Sequence, residues 1–173
     1  MKKAYLGIDP GQTGAIACIT VVDSAVTSVE FYDPAMFQVK SGTKNKSEYN
    51  EVDMARALKT FADSADEVTC VLEKVSAMPG QGVTSMFNFG MGFGLWRGML
   101  SAYHIPYSLV HPATWKAKIM KDMPKEKEAA VQRAVQLYPD SASELCHEYR
   151  GRTIRHLGRA DALLLAHYAL TNQ

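Results

Sequence analysis

Several features are scarce or absent in this chain of 173 residues, and each absence excludes a class of protein. Its three cysteines, Cys18, Cys70 and Cys146, are odd in number and far apart, which is not the pattern of a disulfide-bonded secreted domain. The first residues lead directly into a glycine-bounded turn at residues 7–11 and lack the apolar core of a signal peptide. We therefore expect free thiols and a cytoplasmic location.

Long apolar runs are absent as well. The longest apolar stretch, residues 83–105, is interrupted by four glycines and by Asn88, Arg97 and His104. Because a membrane-spanning helix needs about 20 consecutive apolar residues, this stretch does not predict one. We expect no membrane partner.

An excess of either charge is missing too, since 19 lysines and arginines offset 18 acids and leave a formal net charge of +1. Basic residues nevertheless cluster in two places. Such clusters are either solvated faces or phosphate-binding surfaces, and the sequence alone leaves both interpretations open. The clusters consist of Lys116, Lys118, Lys121, Lys125 and Lys127, and of Arg150, Arg152, Arg155 and Arg159.

The 47% hydrophobic content suffices for one well-buried core and predicts a single domain over residues 1–173. Polar residues 39–50 predict a mobile loop. The order of elements predicts an α/β fold, in which a five-stranded mixed sheet, made of an antiparallel meander plus parallel strands, is flanked by helices. Short runs rich in Ile, Val and aromatic residues predict strands at residues 4–9, 15–22, 26–32, 68–72 and 105–110. Helical spacing predicts helices at residues 51–62, 83–103 and 125–138 and from about Gly158 onward.

Three acidic residues stand where these elements begin or end. Asp9 and Glu73 each follow a buried strand, and Asp161 opens the apolar last helix. If the two strands are parallel neighbours, both carboxylates emerge at one sheet edge, where ligand sites of such sheets lie. Singly, the three acids are explained as a turn residue, a strand-end acid in water and a helix-dipole partner. Convergent carboxylates, in contrast, predict hard divalent cations such as Mg²⁺ or Mn²⁺.

Five segments carry motifs in a recognisable order over nearly the whole chain. They are Gly7-Ile8-Asp9-Pro10-Gly11, Leu72-Glu73-Lys74-Val75, the glycine-rich residues 87–98, Pro112 with Trp115-Lys116, and Gly158-Arg159-Ala160-Asp161-Ala162-Leu163. Taken together, they resemble the RuvC Holliday junction resolvases, especially the bacteriophage-type members of that family.

The resemblance implies an RNase H-like fold and a homodimer that cuts four-way DNA junctions by metal-dependent phosphodiester hydrolysis. It implies two Mg²⁺ ions per site, for which Mn²⁺ would substitute, and, if the gene is phage-encoded, action in the bacterial host's cytoplasm. Asp9, Glu73 and Asp161 match the family's catalytic, metal-binding acids. Lys116 and Lys127 lie near family lysines that meet the DNA or the scissile phosphate, and we expect them to be catalytic as well, with Lys116 or Lys127 supplying positive charge to the phosphate as it reacts.

The helix at residues 83–103 is expected to bind rather than to catalyse. Gly90, Gly94 and Gly98 recur every four residues and lower helix propensity, so we expect a close backbone contact there, with the sheet favoured over a partner subunit. The loop at 76–82 and nearby apolar side chains are either core or contacts for unstacked bases. The residues expected to contact branched DNA are Lys116, Lys118, Lys121, Lys125, Lys127, Arg152, Arg155, Arg159, Met86 and Phe87.

One position departs from the family pattern. Family members carry an acid or a histidine three residues before the last aspartate, and here that residue is Gly158. His156 is a candidate metal ligand in its place only if the last helix starts late; otherwise it is a surface histidine. Water, backbone or a DNA phosphate would serve equally well, because Mg²⁺ commonly keeps several waters.

Three other functions compete with junction resolution. A broader nuclease for flaps, forks and three-way branches fits the same residues, and Gly158 also fits a non-catalytic junction-binding protein. The Gly-Ile-Asp-Pro-Gly turn further resembles the first phosphate loop of sugar kinases and actin-like ATPases. Those enzymes enclose ATP between two such domains, so we expect no nucleotide cofactor in one domain of this size.

Overall fold

Apolar runs of five to eight residues form a central sheet in the computed structural model, which describes residues 1–42, 44–77, 79–80 and 82–172. Strand β1 (Lys2–Asp9) pairs antiparallel with β2 (Ala15–Val22), which pairs antiparallel with β3 (Ala25–Tyr32). On its other side β1 pairs in parallel with β6 (Glu67–Glu73), which pairs in parallel with β7 (Tyr107–Val110). The five strands therefore stand in the order β3-β2-β1-β6-β7.

Helices cover both faces of this sheet because successive side chains of a strand point to opposite faces. Leu6 and Ile8 of β1 pack in one core with residues of α1 (Glu51–Asp63) and α2 (Val83–Ala102). Tyr5 packs in a second core with residues of α4 (Ala129–Leu137) and α6 (Leu157–Thr171). The predicted fold class, an α/β fold with a five-stranded mixed sheet flanked by helices, is confirmed.

The prediction of a mobile loop at residues 39–50 is wrong. This segment contributes to a hairpin of β4 (Met36–Ser41) and β5 (Lys44–Tyr49), in which Met36 pairs with Tyr49. Tyr49 is buried and Met36 packs against the core, so the base of the hairpin is anchored although most of it is polar. Thr43 lies outside the described residues.

Further elements after β7 were not predicted. Helix α3 (Pro112–Ile119) has proline at its first position, a start signal that the sequence did offer. A short 3-10 turn (Pro139–Ser141) and α5 (Ala142–Leu145) precede a hairpin of β8 (Cys146–Tyr149) and β9 (Arg152–Arg155). The helix predicted at residues 125–138 begins only at Ala129, where its buried alanine face starts.

The expectation that Gly90, Gly94 and Gly98 of α2 pack against the sheet is also wrong. A Cβ atom built on any of the three would meet no atom within 4 Å. The glycine in close contact is Gly92, whose Cβ would lie 2.7 Å from the carbonyl oxygen of Pro10. Helix α2 thus docks by Gly92 and turns the stripe of the other three glycines outward.

Two expectations about the whole chain can be compared with the structure. Cys18, Cys70 and Cys146 are all unpaired, as the sequence predicts, and the first two are buried. Over the described ranges, none of the helices combines the length and apolarity that crossing a membrane requires.

Candidate active site

Asp9 is the last residue of β1, and the turn that follows fixes its position. The backbone N–H of Gly11 donates to the Asp9 Oδ1 atom at 3.3 Å, and Gly14 N–H closes the turn on the Gly11 carbonyl oxygen at 2.9 Å. Asp9 can therefore be both a turn residue and a site residue. One of its oxygens accepts the hydrogen bond within the turn, while the half-buried carboxylate lines a cleft.

Glu73 ends the neighbouring strand β6, and the parallel register Ile8 to Leu72 brings both strand ends to one edge. The prediction that both carboxylates emerge at one edge required β1 and β6 to be parallel neighbours, and they are. Glu73 is buried, and its Oε1 atom accepts a 2.9 Å hydrogen bond from Nε1 of Trp115 in α3. One of its two oxygens is therefore oriented by the indole, and the side chain lies beneath the cleft rather than in its wall.

Asp161 comes from α6, which crosses β1 at very close range. A Cβ on Gly7 would lie 2.1 Å from the carbonyl oxygen of Ala162, so only glycine permits this approach of helix and strand. The Asp161 Oδ2 atom lies 3.8 Å from Nζ of Lys116. Its Oδ1 atom is buried and has no hydrogen-bond partner among the residues that the structure describes.

The three carboxylates influence one another electrostatically. Burial, followed by the charges of Glu73 and Asp161, raises the pKa of Asp9 to about 7 from its ordinary value of 3.8. Burial also raises the pKa of Asp161 to about 6, a rise that Lys116 opposes and Glu73 reinforces. Buried acids with elevated pKa values in a cleft are typical of functional sites.

This donor set fits a hard divalent cation. Carboxylate oxygens are the ligands that Mg²⁺ and Mn²⁺ prefer, and the unpartnered Oδ1 of Asp161 is a buried acceptor without a proton donor. Across the residues that the structure describes, however, no three His, Cys, Asp or Glu side chains are already grouped tightly enough to hold a metal ion. The assignment of Asp9, Glu73 and Asp161 as metal ligands stays a prediction.

Gly158 departs from the family pattern for a steric reason. A Cβ at this position would lie 2.0 Å from the carbonyl oxygen of Thr13 and 2.8 Å from the Cα of Gly14. The first turn of α6 therefore rests directly on the backbone of the turn after Asp9. An acid or a histidine at position 158 is incompatible with this packing.

His156 immediately precedes α6, which begins at Leu157 and not later than the sequence suggests. Its ring stacks against His147, with centroids 5.3 Å apart and planes tilted by 30°. Burial and the nearby Arg159 lower its pKa, which favours the neutral ring. His156 also lines the cleft, and its role as a metal ligand stays a prediction.

A cleft of about 990 Å³ opens over Asp9 and Asp161. Five of the predicted DNA-contacting basic residues line it, so the fold gathers parts of the lysine and arginine clusters at one place. A solvated face would not require this convergence on buried acids. The five residues are Lys116, Lys125, Lys127, Arg155 and Arg159.

Other predicted DNA contacts lie outside this cleft. Lys118 donates to Asn172 and lies over the ring of Tyr168, while the lining of the cleft includes neither Lys121 nor Arg152. Arg159 lines the cleft, but its guanidinium donates to both carboxylate oxygens of Asp33, at 2.8 and 2.7 Å. The roles of these residues in DNA binding stay predictions.

The apolar residues of α2 divide between two surroundings. Met86 and Phe89 line a small separate pocket of about 170 Å³, whereas Phe87 is 70% exposed. Met78 and Gln81 of the preceding loop lie outside the described residues. Contact of Met86 and Phe87 with DNA stays a prediction.

Sequence reasoning missed two residues of the site. Trp115 was noted only within a motif, and nothing local indicated its bond to Glu73. Tyr49, at the base of the β4–β5 hairpin, has its hydroxyl 3.5 Å from the carbonyl oxygen of Pro10. Burial, reinforced by the charge of Asp9, raises the pKa of Tyr49 to about 12.

Comparison with known proteins yields similarity in structure but not in sequence. No protein-family model matches the chain, and no curated protein matches it. The structure of Thermus thermophilus RuvC in complex with a Holliday junction substrate matches with a TM-score of 0.53 and 13% identity, over 96% of this chain and 90% of that chain. A second Thermus thermophilus RuvC structure matches with a TM-score of 0.50 and 15% identity, over 96% of this chain and 91% of that chain. The chain therefore has a RuvC-like fold.

Proposed function

We propose that this protein is a metal-dependent endodeoxyribonuclease that resolves four-way DNA junctions, as a member of the RuvC-like resolvases and of their bacteriophage type. The observation that carries the proposal is that Asp9 and Asp161 line a cleft together with basic residues, and that the charges of Glu73 and Asp161 act on Asp9. The carboxylates suit divalent cations, and the basic residues suit a phosphate backbone. The RuvC-like fold supports the same assignment.

In the proposed reaction, Asp9, Glu73 and Asp161 would hold two Mg²⁺ or Mn²⁺ ions. When bound, these ions supply Lewis acidity at the scissile phosphate and lower the pKa of water. Trp115 keeps one oxygen of Glu73 oriented by its 2.9 Å hydrogen bond. Lys116, 3.8 Å from Asp161, places a positive charge where negative charge develops on the phosphate.

The remaining cleft residues bind rather than react. Lys125, Lys127 and Arg155 line the same cleft and are available to the phosphates that flank the cut. The Asp33 side chain, which also lines the cleft, is neutralised by its two-pronged ion pair with Arg159. The path for a DNA strand is therefore predominantly positive outside the carboxylate centre.

We further propose that the active form is a homodimer joined through the open face of α2. Val83 is 82% exposed and Phe87 is 70% exposed, and both lie on the same helical face as the outward-turned Gly90 and Gly94. Bare glycines allow two helices to approach closely, and the flanking apolar side chains gain from being covered. A two-fold dimer also supplies two sites for a two-fold junction. Light scattering during gel filtration tests this, because Gly94→Arg should convert the mass of two chains into that of one.

The proposed function is tested by comparing cleavage of four-way, three-way, flap and linear DNA with Mg²⁺ or Mn²⁺. We expect the wild type to cut the four-way junction and Asp9→Asn, which is nearly isosteric, to bind it without cutting. Equal cutting of all branched DNAs would indicate the broader branch nuclease instead. Binding without any cutting by the wild type would indicate a non-catalytic junction protein, and equal cutting by Asp9→Asn would contradict the metal assignment.

A further inference from the structure

The β8–β9 hairpin is a basic projection that the proposed function leaves unexplained. Its residues 146–155 contain three arginines and one glutamate, a net charge of +2 with His147 neutral. The single acid, Glu148, accepts a hydrogen bond from the hydroxyl of Thr153 across the two strands. The arginines outnumber this acid, so the hairpin as a whole is positively charged.

The hairpin is rooted at the catalytic cleft. The backbone N–H of His156 donates to the Leu145 carbonyl oxygen at 2.9 Å and closes its base. Arg155 and His156 line the cleft, and α6, which carries Asp161, begins at the next residue. Four-residue strands extend about 10 Å at the usual rise of a strand. The tip thus lies about 10 Å along the hairpin from its base at the cleft.

The tip joins an aromatic ring to arginines. Tyr149 pairs with Arg152 across the hairpin, and the guanidinium of Arg150 lies over the Tyr149 ring, 5.2 Å from its centroid. Tyr149 remains 55% exposed, so its ring is available to a further planar partner. An exposed aromatic surface beside guanidinium groups is the combination that binds unpaired nucleotides, with stacking on the base and charge on the phosphates.

The turn itself departs from the usual sequence preference. Arg150 and Gly151 have φ values of 49° and 73°, so both central residues are left-handed, as in the two-residue hairpin turn that favours Asn-Gly. An arginine is disfavoured in this conformation. Arg150 adopts it with its guanidinium over the Tyr149 ring, so the turn keeps this arginine beside the aromatic face.

We propose that the tip of this hairpin contacts the branch point of the DNA, where Tyr149 stacks on the face of a base left unstacked at the branch and Arg150 and Arg152 contact its flanking phosphates. This inference rests on the proposed function and adds a determinant of specificity to it. A linear duplex offers no free base face, because its bases are already stacked on one another. Tyr149 therefore favours branched over linear DNA, whereas the arginines bind either.

The test measures fluorescence anisotropy with a labelled four-way junction and a linear duplex of equal length, in EDTA so that no strand is cut. Tyr149→Ala should weaken junction binding about tenfold, the effect of losing one stacked base, and leave duplex binding within about twofold. Tyr149→Phe keeps the ring and should bind as the wild type does. Arg150→Ala should weaken binding to both DNAs and reduce the dependence on salt.

Tyr103→Ala is the matched control, since Tyr103 is an exposed tyrosine at the opposite edge of the sheet. It should bind both DNAs as the wild type does.

The outcomes separate the two proposals. If the wild type cuts the junction and Tyr149→Ala binds it with unchanged affinity, the hairpin inference is wrong and the proposed function stands. An equal loss in Tyr149→Phe and Tyr149→Ala would also overturn the stacking role. If the wild type neither binds nor cuts branched DNA, the proposed function fails and this inference fails with it.

Discussion

Nε1 of Trp115 donates a hydrogen bond of 2.9 Å to Oε1 of Glu73, and both side chains are buried. The bond joins the first turn of α3 to the end of β6 and orients one carboxylate oxygen of Glu73. Partners of this kind orient metal-binding side chains, and their removal typically costs about 10–100-fold in metal affinity or activity. Trp115 is thus a positioning residue in the proposed mechanism.

Trp115→Phe should raise the Mg²⁺ concentration needed for half-maximal cleavage by about 10–100-fold. The substitution removes the indole N–H while keeping an aromatic ring, so junction binding in EDTA should change little. The measurement is cleavage rate against Mg²⁺ concentration, with anisotropy for binding.

Trp96→Phe is the matched control for this experiment. Trp96 is also fully buried, but it packs in the core on the other face of the sheet and its Nε1 atom has no hydrogen-bond partner. Both variants lose similar packing, so both should be less stable, but only Trp115→Phe should alter the Mg²⁺ requirement. Equal Mg²⁺ curves for the two variants would show that Trp115 only packs.

How much the sequence predicts depends on whether a feature is local. The sequence predicts Asp9 and Glu73 at one sheet edge because each follows an apolar run. Parallel strands that are buried on both faces consist of nearly continuous apolar residues, so they can be recognised in a sequence. The hydrogen bond between Glu73 and Trp115 joins residues 42 positions apart in the chain. It depends on where α3 lies in the fold, so no local sequence pattern predicts it.

The β4–β5 hairpin was not predicted for a different reason. Residues 44–48 of β5 are Lys-Asn-Lys-Ser-Glu, which has neither the alternation nor the β-branched content that predicts a strand. This strand forms because its partner β4 and the buried Tyr49 hold it. Tertiary contacts thus override a local preference that pointed to a loop.

Gly158→Ala should destabilise the protein and reduce cleavage. The added Cβ would sit 2.0 Å from the Thr13 carbonyl oxygen, so α6 must move away from the turn that follows Asp9. Overpacking of this kind typically costs about 1–3 kcal/mol, or about 2–9 °C in melting temperature for a chain of this length. Because the shift separates Asp161 from Asp9, cleavage should fall further than stability alone explains.

Gly98→Ala provides the comparison, because a Cβ there meets no atom within 4 Å and the residue lies inside α2. It should raise stability by up to about 1 kcal/mol through helix propensity. Thermal unfolding of both variants at one pH checks the pair. If Gly158→Ala melts no lower than the wild type, the close contact with Thr13 is not a constraint.

Without divalent metal, the contribution of Asp9 to stability should fall as the pH rises from about 4 to 7. The folded protein raises the pKa of Asp9 to about 7 from 3.8, so it keeps a proton that the unfolded chain releases over this window. The resulting stabilisation is fully present below pH 3.8 and is lost as the pH passes 7. Asp161, with a pKa raised to about 6, acts in the same direction.

Melting temperatures of the wild type and of Asp9→Asn in EDTA at pH 5 and pH 8 test this linkage. We expect the drop between the two pH values to be larger in the wild type by at least about 2–4 °C, which corresponds to about 1 kcal/mol. Mg²⁺ added at pH 8 should restore stability to the wild type and much less to Asp9→Asn, since a cation replaces the lost protons. Identical pH profiles would mean that Asp9 does not carry the linkage.

Lys127→Ala should weaken junction binding and slow cleavage, while Lys118→Ala should have a smaller effect, although each removes one positive charge. Lys127 lines the cleft over Asp9 and Asp161, whereas Lys118 is engaged by Asn172 and Tyr168 at the end of α6. Loss of one phosphate contact lowers the slope of log affinity against log salt by about one. Titrations at several salt concentrations should show that decrease for Lys127→Ala alone. An equal decrease of the slope in both variants would mean that the DNA also runs along α3. If the slope decreases in neither variant, the lysine cluster is a solvated face that does not bind DNA.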